Sequence, residues 1–502
     1  MIENLLSALL VLFSIEGIGH LVIGGVIGIS IGVLPGLGPV FGIALFLPFT
    51  FWMDPTLGLI FLGSLYSCCV YGGSITAALL GIPGTTGSIT TVFDGYELSK
   101  QGRAGFALGL SVTSSLIGGI IGVGALAIFA PLLAEFALKF APADYFALAF
   151  FGLSMVAVAA KGDTLKGLMI GILGVLISMI GTDIFSGGFR FTFGTEYLEG
   201  GVPFIAIVIG MFALSQAFSL AEEGGQISKT GRVSGEVRQG IVFVVKHWIT
   251  VLKNSILGCI LGAIPGVGIN ITNFLAYLFQ KKSSKDPDSF GKGNPLGVIA
   301  PEAANNACVS AELIPAFALG IPGGATAALF LAATQIYGLR PGYTFFTEGG
   351  IIVYCLILGL FFAQFLFFFL GVFGANFFSK VTLTPAAILV PTILALSFIG
   401  GVAERSLLAD VFVVLIFGVI GYIMNKNNYP TACLILGLIL GPLVERNFTR
   451  SLQMSDGEFT IFLSSPISIV MWIAIIVVLG WGLLPHEKWF GPKEVLVADK
   501  SK

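Results

Sequence analysis

Two carboxylates, Glu302 and Glu312, lie ten residues apart in a largely apolar run that opens Pro301-Glu302-Ala303-Ala304-Asn305-Asn306-Ala307. A carboxylate inside a membrane segment is expensive and marks a functional site by default, so both are candidate coupling carboxylates. Glu302 has a second reading, as an interfacial residue capping a helix that starts after Pro301. Asp94, beside Gly95-Tyr96 and close to Lys100 and Arg103, suits a polar interfacial loop. Small hydroxyls and amides gather in two regions: Ser74, Thr76, Thr85, Thr86, Ser88 and Thr90 in the first, and Asn270, Thr272, Asn273, Asn305, Asn306, Ser310 and Thr326 in the second. Such groups can coordinate a carboxylate or a sodium ion, although any one of them more often bonds back to its own helix. Both regions are almost devoid of Lys and Arg. An anion there would be held by backbone N–H groups and the positive ends of helices that begin inside the membrane. The expected substrate contacts are Ser74, Thr76, Thr85, Thr86, Asn270, Asn305, Asn306 and Gly323.

Four proline-glycine breaks must position these groups. Gly32-Val33-Leu34-Pro35-Gly36-Leu37-Gly38 is echoed by Gly262-Ala263-Ile264-Pro265-Gly266-Val267-Gly268, at an offset of 230 (262 − 32). Gly81-Ile82-Pro83-Gly84-Thr85 is echoed by Gly320-Ile321-Pro322-Gly323-Gly324, at an offset of 239 (320 − 81). Proline removes a backbone donor and glycine admits dihedrals closed to other residues. A single break could be a kink. Four in the same order in two halves indicate diverged repeats, and paired interrupted segments point to a transporter's binding site. Pro35, Gly36, Gly38, Pro265, Gly266 and Gly268 would shape two hairpin tips, with Pro83, Gly84 and Pro322 in the opposing breaks.

The composition fixes the setting. The chain has 502 residues, of which 56% are hydrophobic and 10% charged, against about 25% charged in soluble domains. Its mean hydropathy is +0.98. Apolar runs near the length of a bilayer crossing recur throughout, so the chain reads as an all-α polytopic membrane protein. The 68 glycines fit tightly packed or interrupted membrane helices. A net charge of −2 without a basic stripe gives no reason to expect nucleic acid. The six cysteines stand in apolar surroundings without a Cys-x-x-Cys pair, and His20, His247 and His486 are far apart. Neither set suggests a metal or a catalytic centre, so no cofactor is expected beyond a transported Na+ or H+.

In chain order, residues 1–16 read as an apolar lead-in without the basic start of a signal peptide. A first transmembrane repeat follows over 17–221, then a cytoplasmic linker over 222–247 and a second repeat over 248–445. A loop and last helix occupy 446–485, before a cytoplasmic tail at 486–502. Each repeat comprises a re-entrant hairpin (18–53 and 248–281) and about five crossings with broken helices. In the first repeat, a segment from Leu57 to about Lys100 is expected to break near Tyr71-Gly72-Gly73-Ser74 and again at Gly81 to Gly87. Spans then fit 104–130, 143–160, 165–182 and 202–221. In the second, a broken segment at 296–340 precedes spans at 350–375, 384–402, 406–424 and 430–444. Residues 1–99 contain no Lys or Arg. Cytoplasmic loops are enriched in both, which places the N-terminus outside and the C-terminus in the cytoplasm. That trace puts 19 of the 25 Lys and Arg inside. Five crossings separate the hairpins, so the two repeats have inverted topology.

The motifs resemble the large membrane subunit of tripartite tricarboxylate transporters, the TctA family, over nearly the whole chain. The resemblance rests on Gly32 to Pro39, Tyr71-Gly72-Gly73-Ser74, Asp94-Gly95-Tyr96 with Gly102-Arg103-Ala104-Gly105, Pro301 to Ala307, and Gly320-Ile321-Pro322-Gly323. It implies uptake of a tricarboxylate or related carboxylate across the bacterial inner membrane, driven by an ion gradient. The implied partners are a small four-helix membrane subunit and a periplasmic substrate-binding protein. Many members carry an acidic residue after the first-half Pro-Gly, where this chain has Thr85. The alternatives are a stand-alone organic anion transporter, a passive anion channel and a membrane-embedded enzyme.

Overall fold

Where water is excluded, backbone groups must pair within their own segment, so a chain this apolar has to be helical. The computed structural model describes residues 2–159, 164–223 and 236–483. Among these, the only sheet is a two-stranded antiparallel hairpin, β1 (Gly181–Thr182) and β2 (Phe189–Arg190). Nine helices among the described residues are long and apolar enough to cross a membrane, or ten if a bent pair is counted as one span. The chain is an all-α multi-pass membrane protein.

The first half runs α1 (Ile2–Leu12), α2 (Ile15–Gly32), α3 (Pro39–Phe46), α4 (Pro55–Leu80), α5 (Ile89–Thr91) and α6 (Glu97–Lys100). It continues with α7 (Ala104–Phe136), α8 (Pro142–Ala159), α9 (Thr164–Ser178), α10 (Phe204–Val208) and α11 (Ser215–Glu223), the last two joined by a π-helical turn. The second half begins with α12 (Val237–Lys246), α13 (Trp248–Gly262), α14 (Gly268–Ser283), α15 (Pro295–Ala311) and α16 (Leu313–Leu319). It ends with α17 (Ala325–Ile336), α18 (Tyr343–Thr347), α19 (Gly350–Val381), α20 (Ala386–Ala403), α21 (Ala409–Lys426), α22 (Thr431–Met454) and α23 (Pro466–Leu483).

The two halves use the same local devices. α4 starts at Asp54, whose side chain accepts from Thr56 N–H at 2.9 Å, with Pro55 in the first turn. α15 starts at Asn294, which accepts from Leu296 N–H at 2.8 Å, with Pro295 in the same place. Both positions suit residues that satisfy or lack the free N–H groups of a first turn. At the hairpin tips Gly36 and Gly266 each adopt φ +84°, and α4 and α16 end on Gly81 at +71° and Gly320 at +73°. These left-handed values cost a glycine nothing, which explains why the breaks repeat in kind.

The core is built on α4 and α15. α4 is almost wholly enclosed, and every residue of α15 from Gly297 to Ala311 is buried. α2 meets α4 where a Cβ on Gly28 would overlap the Leu65 carbonyl oxygen. α13 meets α15 in the same way, Gly258 against the Ala304 carbonyl oxygen. Each half's long helix then crosses to the other half, with Gly118 of α7 against Ala303 and Gly359 of α19 against Ile60. Small residues permit these close backbone approaches, which is how membrane helices gain packing energy.

Three expectations need correction. α4 is continuous through Tyr71 to Ser74. There Gly72 faces Ile29 and Gly73 faces Thr85, so the glycines serve close packing and not a break. The linker expected over 222–247 lies partly outside the described residues, but 237–246 is helical, packs on α7 at Gly109 and bends by 78° into α13. The span expected over 430–444 continues to Met454, where Glu445 pairs with Arg190 of β2 at 2.5 Å. His486 and the tail at 486–502 lie outside the described residues.

Candidate functional site

All four breaks open onto one cavity of about 610 Å³. Gly36 and Gly38 line it from the first hairpin and Gly266 and Gly268 from the second. Pro83, Gly84, Thr85 and Thr86 line it from one opposing break, and Gly324, Ala325 and Thr326 from the other. The N-termini of α3, α14 and α17 therefore converge here, at Gly38, Gly268 and Gly324. A helix start carries free N–H groups and about half a positive charge, so three together create a field for an anion. Among the described residues no Lys or Arg lines the cavity, and its one carboxylic acid is Glu312.

Backbone bonds hold the breaks in place. Gly84 N–H donates to Gly73 C=O at 3.3 Å, and Gly323 N–H donates to Glu312 C=O at 3.2 Å. These two bonds share the offset of 239 (312 − 73 and 323 − 84). Gly266 N–H donates to Gly323 C=O at 2.8 Å, tying the second hairpin tip to its opposing break. Gly323 thus supplies structure behind the cavity wall, as do Pro35, Pro265 and Pro322, which do not line it.

Other expected residues separate into distinct places. Glu312 sits in the turn between α15 and α16, where Tyr66 donates to it at 2.5 Å. Thr85 reaches the cavity with a buried hydroxyl that makes no hydrogen bond. Thr76 donates to Gly73 C=O at 3.2 Å and Ser74 donates to Glu302 at 3.0 Å, so neither side chain lines the cavity. Asn305 and Asn306 are buried in α15 behind the wall, and their amide atoms have no hydrogen-bond partner. Asn270 belongs to α14, and its side chain lies outside the described residues. Glu302 does not cap a helix start: Pro301 and Glu302 are interior to α15, because the helix begins six residues earlier at Pro295. No group of three or more His, Cys, Asp or Glu stands together among the described residues.

The structure adds residues that sequence reasoning missed. Ser215 and Gln216 of α11, with Asn425, Asn428, Tyr429 and Thr431 around the α21–α22 turn, complete the polar wall. Gln216 was legible as the lone amide of an apolar run, whereas Asn425 and Asn428 read as an ordinary loop.

Asp94 is fully buried. One of its oxygens accepts from Gly291, Gly293 and Asn294 N–H at 2.8, 2.9 and 2.7 Å, and the other from the Tyr277 hydroxyl at 2.9 Å. A Cβ on Gly297 would overlap this carboxylate. Replacing Asp94 with alanine leaves these donors unpaired, at about 1–3 kcal/mol for each buried group. Asp94→Ala is expected to lower the thermal midpoint sharply in detergent, and Asp94→Asn, which keeps an acceptor, to lower it less. Equal midpoints for all three proteins would remove the clamp.

The family model described as the tripartite tricarboxylate transporter TctA family matches residues 18–436. The chain is 35% identical over 457 residues, 89% of either protein, to an Agrobacterium vitis protein described as an uncharacterized 52.8 kDa protein in the TAR-I ttuC' 3' region. A second Agrobacterium vitis protein, described from the TAR-II ttuC' 3' region, is 32% identical over 211 residues, covering 42% of this chain and 87% of the relative. No solved structure matches the chain.

Proposed function

The chain belongs to the tripartite tricarboxylate transporter TctA family, and we propose that it is the large subunit of an ion-coupled importer for a tricarboxylate or related carboxylate. As a member it is a transporter component and not an enzyme. The observation that carries the substrate class is the convergence of three helix N-termini on one cavity that no Lys or Arg lines among the described residues. Helix ends bind carboxylates while avoiding the cost of inserting a fixed cation, about 2.5–3.5 kcal/mol at a helix centre. Thr85, Thr86, Gln216 and Asn428 are the side chains we assign to carboxylate contact. Glu312 is the carboxylate placed to respond to the substrate's charge.

In this reading the halves are inverted repeats with the cavity near the membrane middle. The matched break angles, the offset-matched backbone bonds and the reciprocal crossing of α7 and α19 support a pseudo-twofold relation. The Lys and Arg distribution supports opposite orientations, with the N-terminus outside and the C-terminus in the cytoplasm of a bacterial inner membrane. A periplasmic binding protein and a small four-helix membrane subunit complete the system.

Uptake into proteoliposomes with these partners, under imposed sodium or proton gradients, tests the function. Accumulation of a di- or tricarboxylate against its own gradient is expected, and equilibration without accumulation would assign a channel instead. Topology has its own test. Single cysteines at Asp54 and Ser284, each just past a hairpin, are expected to react with an impermeant thiol reagent from opposite faces. Labelling of both from one face would overturn the inversion.

A further inference from the structure

Glu302 is 1% exposed and stands apart from the cavity. Three hydroxyls from three different elements converge on it: Thr91 of α5 at 2.5 Å, Ser115 of α7 at 2.7 Å and Ser74 of α4 at 3.0 Å. Ser111, one turn before Ser115, also adjoins the carboxylate. Its buried hydroxyl completes no regular hydrogen bond, and neither does the buried hydroxyl of Tyr71 on α4. No Lys or Arg is buried among the described residues. An ionised carboxylate in such a place, without a positive partner, carries a penalty of several kcal/mol.

We propose that this cage is a binding site for a monovalent cation, sodium, separate from the substrate cavity. A proton on Glu302 would need one acceptor, but four hydroxyl oxygens join the two carboxylate oxygens here. The set holds oxygen alone, the donor chemistry of hard cations, and its single negative charge balances one positive charge. The hydroxyl oxygens stand 2.5–3.0 Å from the carboxylate, so a small ion drawn in among them would meet several oxygens at once. On binding, each hydroxyl turns its lone pairs inward and redirects its proton to a carbonyl of its own helix.

The cage shares a segment with the cavity wall. Thr91 faces Glu302, while Thr86 and Ile89, five and two residues earlier, line the cavity. Ser74 follows Gly73, whose carbonyl receives Gly84 N–H across the break. Sodium held by Thr91 and Ser74 therefore fixes the wall that meets the substrate, and by linkage the substrate raises sodium affinity by the same factor. This coupling rests on the transporter reading; sodium binding itself does not.

The test uses the full chain in lipid nanodiscs, without carboxylate. Saturable binding of radioactive sodium is expected, with a thermal midpoint raised by NaCl over equimolar choline chloride or KCl. Glu302→Gln is expected to lose both effects, and Glu404→Gln, which alters an acid outside the cage, to keep them. Ser115→Ala and Thr91→Val each remove one oxygen and should weaken sodium binding by about 10-fold or more, which keeps the test decisive if Glu302→Gln does not fold. Absent sodium binding in the unaltered chain, or binding unchanged in Glu302→Gln, overturns the site. Stabilisation by acid alone, indifferent to sodium, assigns a proton and also overturns it. Carboxylate accumulation that ignores sodium sinks this inference and leaves the function standing, whereas sodium binding without carboxylate transport does the reverse.

Discussion

Glu312→Gln is expected to abolish gradient-driven accumulation while carboxylate binding survives and loses its pH dependence. Glu312 lines the cavity, and its side chain abuts the break at Gly324, where α17 begins. A bound carboxylate about 4 Å from an ionised Glu312 would be repelled by about 4 kcal/mol at an effective dielectric of 20. That is roughly a thousandfold in affinity. Substrate and ionised Glu312 therefore exclude each other, so Glu312 must be neutral or paired when substrate is bound. The protonated form binds, so wild-type affinity falls as pH rises through the deprotonation of Glu312, by about tenfold per unit above it. Glutamine keeps the shape and removes the charge, so binding stays tight across that range while the release step loses the charge that would expel the substrate, whatever occupies the Glu302 site. Equilibrium binding of a labelled carboxylate over a wide pH range, with counterflow and accumulation in proteoliposomes, measures both halves. Wild-type binding that does not vary with pH, or accumulation preserved in the glutamine variant, would remove Glu312 from the coupling.

The two repeat offsets, 230 and 239, are unequal because the second half has additional chain between its two breaks. Most of it is loop 284–294, which precedes α15 where the first half has only Met53 and Asp54 before α4. Asp94 binds that loop through Gly291, Gly293 and Asn294. A residue of the first half thus secures the extra chain of the second, next to the segment that bears both Thr86 and Thr91.

The breaks were legible because proline and glycine act on the backbone locally, whatever surrounds them. Pro35, Gly84, Gly266 and Pro322 all occur at true interruptions. The same reasoning failed at Tyr71 to Ser74, where two adjacent glycines accommodate Ile29 and Thr85 and leave α4 intact. Glycine alone signals either strained dihedrals or close packing, and only the neighbouring helix decides between them. Glu302 could not be separated from an interfacial cap because Pro301 favours a helix start. The helix instead gains its start from Asn294 and Pro295 and carries Pro301 within. Asp94, with Lys100 and Arg103 close by in sequence, suited a polar interfacial loop, but its partners are three backbone N–H groups and the Tyr277 hydroxyl, some 200 residues away. Contacts of that kind leave no local pattern, which is also why Thr91, Ser115 and Tyr66 went unrecognised.

The largest geometric effect is expected from one methyl group, in Gly84→Ala. A Cβ on Gly84 would overlap the Gly32 carbonyl oxygen and stand 2.8 Å from the Gly73 Cα. Both obstacles are backbone, on α2 and α4, so no rotamer change relieves them. Overpacking of this kind costs typically 1–3 kcal/mol, and the strain falls on the break that carries Thr85 and Thr86 into the cavity. The chain can respond by moving the break, which shifts the cavity wall, or by parting α2 from α4 beside the hairpin tip. Either response alters substrate geometry, so uptake is expected to fall at least about tenfold, the equivalent of 1.4 kcal/mol in binding or barrier. Gly323→Ala meets the Glu312 backbone at 2.8 Å and is expected to act the same way from the second half. Gly124→Ala in α7 meets nothing within 4 Å and should insert and transport as the unaltered chain does. Transport rates normalised to membrane-inserted protein distinguish misplacement from misfolding. Full activity in both break variants would show that the two interruptions are packing features, and the cavity would lose its claim to be the transport site.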